Sequence, residues 1–373
     1  MNDLQQRFNC ILEQIADRFN LDLKRIAIAV SGGADSLALA LLAHNFALKH
    51  KTKIAVLTVN HHLRDEAYEE ALYVAKLMQN YRIEHHILDW DHEKLTTGIE
   101  TKARQARYDL LCNWCKNNNF KILMTAHHLR DQAETFLMRL QRGSGIDGLA
   151  SMETVSERDG TMLVRPLLGI EPDELRDFLK KENVEWKEDA SNQCDDFLRV
   201  RVRKILPLLE RELGLSVKRI GTAVAAIAEV RDYLGQQADD FINNHCRNWY
   251  NCAWSFSPSK FEQLHPEIRQ RVMAKLIRYT VPNQYPPEYV ALRRLCHSVT
   301  DKDFSGSTLA GCEIVPFQKK IWVMPEIANV KPITNTQWEV FTKYHADVLK
   351  NGLPYKLKLN LFKKFGNKLE FGK

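Results

Sequence analysis

A six-residue run near the amino terminus, Ser31-Gly32-Gly33-Ala34-Asp35-Ser36, carries the clearest chemical signal in this 373-residue chain. Adjacent glycines allow a tight turn and let backbone N–H groups approach a ligand closely. The run follows an apolar, β-branched segment at 26–30 and precedes helical spacing over 36–49. A strand, a glycine turn and a helix N-terminus together make an anion site, to which the two serine hydroxyls add donors. Asp35 would repel bare phosphate, but it suits Mg²⁺, an ion that phosphate oxygens also bind. No Gly-x-x-x-x-Gly-Lys-Ser/Thr occurs, which excludes the kinase-style phosphate loop. Farther along, Asp131 and Glu134 stand three apart at the start of an expected helix and so share one face. Acids in a first helical turn also complement the helix dipole.

The elements that position these residues alternate in type. Strand-like runs at 26–30, 54–59, 83–88 and 122–125 are separated by helical spacing at 36–49, 66–80, 101–117 and 131–142. That alternation predicts a Rossmann-like α/β domain, a parallel sheet with helices on both faces, whose ligand lies at the carboxyl ends of the strands. Residues 1–20 place Leu4, Phe8, Ile11, Leu12, Ile15 and Phe19 at helical spacing and lack the basic start and apolar core of a signal peptide. After Pro166 the rhythm changes. Helices are expected at 172–182, 216–244 and 265–279, with short strands and turns from about 291, such as 320–324. Over 355–361, Leu357, Leu359 and Leu361 alternate with lysines and Asn360, the pattern of an edge strand. The expected division is a nucleotide-binding domain at 1–215, a helical domain at 216–290 and a small, mixed, basic domain at 291–373.

No apolar run is long enough to span a membrane, so the expected address is the cytoplasm. The eight cysteines form no disulfide framework; Cys112 and Cys115 are the one Cys-x-x-Cys pair and are expected to pack within a helix. The net charge of +6 is uneven. Residues 343–373 hold eight lysines against Asp347 and Glu370, which accounts for all of it. A second basic stretch, 199–219, sets seven Lys/Arg against two Glu. Two separated basic patches suit a partner with a long phosphate backbone.

The hexapeptide resembles the pyrophosphate loop, or PP-loop, of enzymes that cleave ATP between its α and β phosphates. The segment from Ala126-His127-His128 through Asp131 and Glu134-Thr135 resembles PP-loop tRNA modifiers in general. Its continuation, Arg139-Leu140-Gln141-Arg142-Gly143-Ser144-Gly145-Ile146-Asp147-Gly148-Leu149, is similar to the tRNA(Ile)-lysidine synthetase family. The resemblance extends to Val59-Asn60-His61-His62-Leu63-Arg64, Ala103-Arg104-Gln105-Ala106-Arg107-Tyr108, Arg165-Pro166-Leu167-Leu168, Glu188-Asp189-Ala190-Ser191-Asn192 and the basic 199–207 stretch. It implies ATP and Mg²⁺ as cofactors, free L-lysine and an isoleucine tRNA with a CAU anticodon as partners, and lysine ligation to C2 of the wobble cytidine through an adenylated base.

In that reading Ser31 to Ser36 hold ATP, and Asp35 also holds the metal. Asp131 and Glu134 take the lysine ammonium groups and a proton, while Arg107 and His127 lie near the reacting centre. Arg142, Gly143, Ser144 and Gly145, with Arg199, Arg201 and Arg203, contact tRNA or substrate. Ala190 stands where the family has proline, and Val200 where it has asparagine. Two rival readings are a PP-loop tRNA cytidine thiolase, using Cys112 and Cys115, and a non-catalytic tRNA-binding protein. A homodimer through the helical region is an assembly the sequence leaves open.

Overall fold

The computed structural model describes residues 3–62, 66–92, 98–187, 198–249, 253–282 and 287–326. The segment 188–192, the lysine-rich 343–373 and the strand expected at 355–361 lie outside these. The chain divides into two compact units, Met1–Glu229 and Val230–Lys373.

The first unit opens with α1 (Asp3–Phe19), followed by β1 (Arg25–Ala29), α2 (Ala34–His50), β2 (Lys53–Asn60), α3 (Glu66–Asn80) and β3 (Glu84–Asp89). Next come α4 (Ile99–Asn117), β4 (Ile122–Met124), α5 (Leu129–Gln141), the short α6 (Ile146–Leu149), β5 (Val155–Arg158) and β6 (Thr161–Val164). It ends with α7 (Pro172–Lys181), α8 (Leu198–Leu213) and α9 (Val217–His245), and the division between the units falls inside α9. The sheet runs β3-β2-β1-β4-β6-β5, all parallel except β5, which pairs antiparallel with β6 at one edge. From β1 the chain steps outward to β2 on one side and later to β4 on the other. The crevice between these two directions is where open α/β sheets bind ligands.

Strand alternation sorts the core into two faces. Ile26, Ile28, Val30, Ile54, Val56, Ile122 and Met124 join one apolar cluster with α1, α2, α3 and α7. Ala27, Ala29, Ala55, Leu57, Leu123 and Leu163 join another with α4. Helix α2 is apolar on nearly every side, and Leu37 through Ala43 are buried without a break. It is therefore an internal helix, and its N-terminus is rigidly presented at the sheet's end. Cys112 and Cys115 are buried in the α4 face, as expected of packed helix residues.

The structure fills out the expected pattern at one place and corrects it at two. The basic stretch at 199–207, which had no expected element, belongs to α8, where Val200, Val202 and Leu206 are buried. Residues 291–298 are also helical, because α12 of the second unit runs Tyr289–Ser298 with Leu292 and Leu295 buried. That unit holds a five-stranded antiparallel sheet, β7 (Cys246–Trp249), β8 (Ala253–Phe256), β9 (Ser307–Leu309), β10 (Cys312–Phe317) and β11 (Lys320–Pro325). Helices α10 (Pro258–Glu262), α11 (Pro266–Thr280) and α12 accompany it, and α11 and α12 pack on its apolar side. Strands β7 and β8 come from the stretch read as helical.

Candidate active site

The glycine turn lies at the carboxyl end of β1 and opens α2. Gly32 has φ +88°, a conformation that disfavours a side chain. The two serines face each other across the turn. The Ser36 hydroxyl donates to the Gly33 carbonyl at 2.9 Å, accepts from the Ser31 N–H at 3.1 Å and lies 3.4 Å from the Ser31 hydroxyl. They brace the loop, which leaves the helix N-terminus as its donor end.

Asp35 sits in the first turn of α2. Its Oδ2 is 3.3 Å from His128 Nε2, and its Oδ1 is buried with no hydrogen-bond partner. A buried carboxylate oxygen without a donor is unstable unless a cation meets it, so the position fits Mg²⁺. His128 is the N-cap of α5. Its Nδ1 accepts from the Asp131 N–H at 3.4 Å, while the Asp131 carboxylate accepts from the His128 N–H at 3.0 Å. Burial disfavours the charged imidazole, but the Asp35 hydrogen bond and the charges of Asp131, Asp35 and Glu134 outweigh it and raise the pKa of His128. His128 thus ties the phosphate loop to the acidic turn of α5. It lay inside the quoted His127-His128 pair, yet spacing alone gave it no role.

Glu134, three residues on, is completely buried, and α8 supplies its partners. Arg203 Nε donates to Oε1 at 2.8 Å and its Nη2 to Oε2 at 3.4 Å. Arg199 Nε lies 3.0 Å from Oε2, close enough for an ion pair but at an angle that makes no hydrogen bond. Arg199 also comes within 3.8 Å of Asp131. The arginines are held in place by a small apolar cluster of Ala133 on α5, Leu206 on α8, and Ile220 and Val224 on α9. Arg199 and Arg203, one helical turn apart, point inward, and Arg201 between them is exposed. The sequence placed Asp131 and Glu134 as equals; the structure leaves Asp131 partly exposed at the cavity and buries Glu134 in its wall against two guanidinium groups.

A cavity of about 670 Å³ opens over these groups, lined by Asp35, Asp131 and Glu134 and by Arg104, Arg107, Arg130, Arg176, Arg199 and Arg203, with His61, His127 and His128. A second, of about 370 Å³, is more apolar. Ala29, Val30, Leu57, Val59 and Ala71 line it together with Ser31, Gly33, Glu70 and Lys187. Both are of the size that holds small-molecule substrates. Ser31, His61, Ala103 and Arg107 border both. Burial lowers the pKa of Arg107, and Arg104 pushes the same way. His127 is held at about 4, chiefly by burial and further by Arg165, Arg104 and Arg107 against the opposing pull of Asp131, so its ring is neutral at pH 7. Its Nδ1 is 2.9 Å from the Thr125 hydroxyl.

Arg142 to Gly145 lie elsewhere, in an exposed turn between α5 and α6 that borders neither cavity. Arg139 pins that turn by donating to the Gly148 and Ser151 carbonyls at 2.8 and 3.0 Å. Burial raises the pKa of the Cys112 and Cys115 thiols, Cys115 up to about 12, so neither is an activated thiolate. Among the described residues no group of three or more His, Cys, Asp or Glu side chains is arranged to hold a metal ion.

An open parallel sheet whose first strand ends in a Ser-Gly-Gly-x-Asp-Ser turn defines a PP-loop nucleotide-binding protein, and the family model described as the PP-loop domain matches residues 2–209. The chain is 35% identical over 328 residues to the tRNA(Ile)-lysidine synthase of Wolbachia pipientis wMel, covering 84% of this chain and 75% of that protein. With the tRNA(Ile)-lysidine synthase of Rhodopseudomonas palustris it shares 47% identity over 221 residues, 58% of this chain and 64% of that one. The U34-tRNA thiolase NcsA from Methanococcus maripaludis superposes with a TM-score of 0.51 at 19% identity, covering 61% of this chain and 80% of that chain, a likeness of fold. This chain belongs to the tRNA(Ile)-lysidine synthase family.

Proposed function

We propose that the chain joins free L-lysine to C2 of the wobble cytidine of an isoleucine tRNA with a CAU anticodon, consuming ATP and releasing AMP and pyrophosphate. The observation that carries this reading is the pair of cavities joined at the carboxyl ends of β1 and β2, one part-apolar and one ringed by arginines. The smaller suits adenosine, with the phosphates running toward the Ser31–Ser36 turn. The larger suits the wobble base with its backbone phosphates and the incoming amino acid.

The base C2 oxygen attacks the α-phosphorus and pyrophosphate leaves; the lysine ε-amine then attacks C2 and AMP leaves. Mg²⁺, when bound at Asp35, supplies charge neutralisation on the leaving pyrophosphate. Arg107, at the shared wall, stabilises charge on the α-phosphate and the departing AMP. Asp131 holds the lysine ammonium and accepts its proton. A free amine with a pKa of about 10.4 is made neutral at pH 7 only at a cost of roughly 4–5 kcal/mol, so a positioned base matters. Neutral His127 orients the reactants by hydrogen bonding. Glu134 acts through Arg199 and Arg203, fixing both at the rim where substrate phosphates arrive. Arg201, the 142–145 turn and residues 216–290 and 291–373 supply further contacts to tRNA.

Incubating the protein with labelled lysine, ATP and total tRNA tests this. Lysidine in the nucleoside digest, with one AMP per lysine, is the expected result, and Asp35→Ala should release no AMP. Formation of ADP and orthophosphate instead would overturn the proposal.

A further inference from the structure

The wall shared by the two cavities is short: Ser31, His61, Ala103 and Arg107. On the proposed reaction, which this inference takes as its basis, the nucleotide occupies one cavity and the base the other. The α-phosphorus and the base oxygen must therefore meet at that wall. Ala103 brings only a methyl group, the Ser31 hydroxyl is turned toward Ser36, and Arg107 brings a positive charge. His61 brings an imidazole, and the steps above leave it without a role.

Its surroundings hold it firmly. His61 follows the last residue of β2. The Asn60 carbonyl accepts from the Trp90 N–H at 2.9 Å, the Asn60 side chain donates to Asp89 at 3.0 Å, and His92 Nε2 donates to the His61 carbonyl at 3.0 Å. The Trp90 ring meets the imidazole edge-on at 5.8 Å. Within this frame His61 Nδ1 is buried and has no hydrogen-bond partner. Folded proteins leave few polar atoms so placed, and those they leave are often reserved for function. Burial, aided by the charges of Arg107 and His92, lowers the imidazole pKa to about 4. At pH 7 the ring is a neutral donor that keeps its proton.

We infer that His61 Nδ1 donates a hydrogen bond to a non-bridging oxygen of the nucleotide's α-phosphate, holding the phosphorus in line with the base oxygen. In that step the base oxygen forms its bond to phosphorus while the bond to the pyrophosphate oxygen breaks, and the electron pair leaves with pyrophosphate. Arg107 meets the net charge, and His61 fixes direction, because a single N–H accepts one geometry where a guanidinium fork accepts several.

The test is single-turnover AMP formation at saturating ATP and tRNA, with the wild-type chain and with His61→Phe, His61→Asn and His61→Gln. Asn places an amide nitrogen near the position of Nδ1, and Gln near that of Nε2. We expect His61→Phe to slow AMP formation about 100-fold, the loss typical of one donor to a developing oxyanion. His61→Asn should recover most of the rate and His61→Gln little. Sulfur at one of the two non-bridging α-oxygens of ATP should slow the wild type, and that stereospecific effect should vanish in His61→Phe. A merely structural role would not abolish it. An unchanged rate in His61→Phe, or a thio effect that persists there, overturns the assignment. If His61→Phe does not fold, Gln matching Asn overturns it. A wild-type chain that forms neither AMP nor lysidine sinks the proposed function itself, which is a different result from lysidine formation indifferent to His61.

Discussion

Asp131 and Glu134 show how one helical turn divides two like residues into different environments. Both lie on the face of α5 that meets α8, but Asp131 keeps some exposure at the cavity and Glu134 keeps none. A buried carboxylate is tolerated only with its charge matched, and Arg203 and Arg199 provide that match. The two therefore fail differently when changed. Asp131→Asn should raise KM for lysine about tenfold or more, with little change in the unfolding midpoint. Glu134→Gln should lower stability by about 2 kcal/mol, less than the 3–5 kcal/mol of a wholly buried pair because both arginines are about one third exposed. It should also weaken tRNA binding while KM for lysine holds. Lysine saturation curves and urea unfolding of both variants decide the matter. If instead Glu134→Gln raises KM for lysine and leaves tRNA binding unchanged, the two carboxylates act as a pair on the amine.

At the scale of elements, α8 is what turns α5 into a site. Its buried Leu206 joins Ala133, Ile220 and Val224, so apolar contact brings the guanidinium groups of the same helix to Glu134, where their charges are matched. Leu206→Ala should cost about 2–4 kcal/mol in urea unfolding and, by loosening Arg203, slow AMP formation without touching substrate. A destabilised variant with full activity would show that the ion pair finds its place unaided. Helix α8 was also the largest miss of the sequence. Its buried positions, Val200, Val202 and Leu206, do not follow a clean helical stripe, and Pro207 argues against a helix interior. The β5–β6 hairpin went unread although Asp159-Gly160 between Arg158 and Thr161 is a strong two-residue turn signal, and both residues adopt positive φ. By contrast β1, α2 and β2 were legible because long buried apolar runs leave few alternatives, and α3 because its apolar residues recur at helical spacing. In the site, the glycine turn and Asp131 could be read from spacing alone. The clamp by His128 and the different burial of Asp131 and Glu134 could not, since they depend on which side chains are brought in from α2 and α8.

Over the whole molecule, protons and salt probe what single residues do not. His61, His85 and His127 are each held near a pKa of about 4, first of all by burial. Above about pH 7.5 they are neutral whether folded or not. As pH falls from 6.5 toward 4 the unfolded chain binds protons that the folded chain refuses, so stability is lost across that window. The slope near pH 5 should reach about 1.4–3 kcal/mol per unit, one to two protons' worth, because His61 and His85 keep partial access to water. His85→Gln, which can keep the bond to Thr58, should flatten it in urea unfolding followed from pH 7 to 5, and no slope at all would mean that the rings are solvated. Salt reports on the other charge, the eight lysines of 343–373 that account for the chain's whole net excess. Each phosphate contact on a nucleic acid releases counterions and contributes roughly 0.7–0.9 to the slope of log affinity against log salt. Deleting 343–373 should therefore flatten the salt dependence of tRNA binding by several of those increments. AMP formation at saturating tRNA should survive, because Asp35, Asp131 and Arg107, the residues proposed for that step, belong to the other unit. Filter binding of the full and shortened chains across a salt series separates the cases: a weaker affinity with an unchanged slope assigns the lysines to packing, and a flattened slope assigns them to the tRNA backbone.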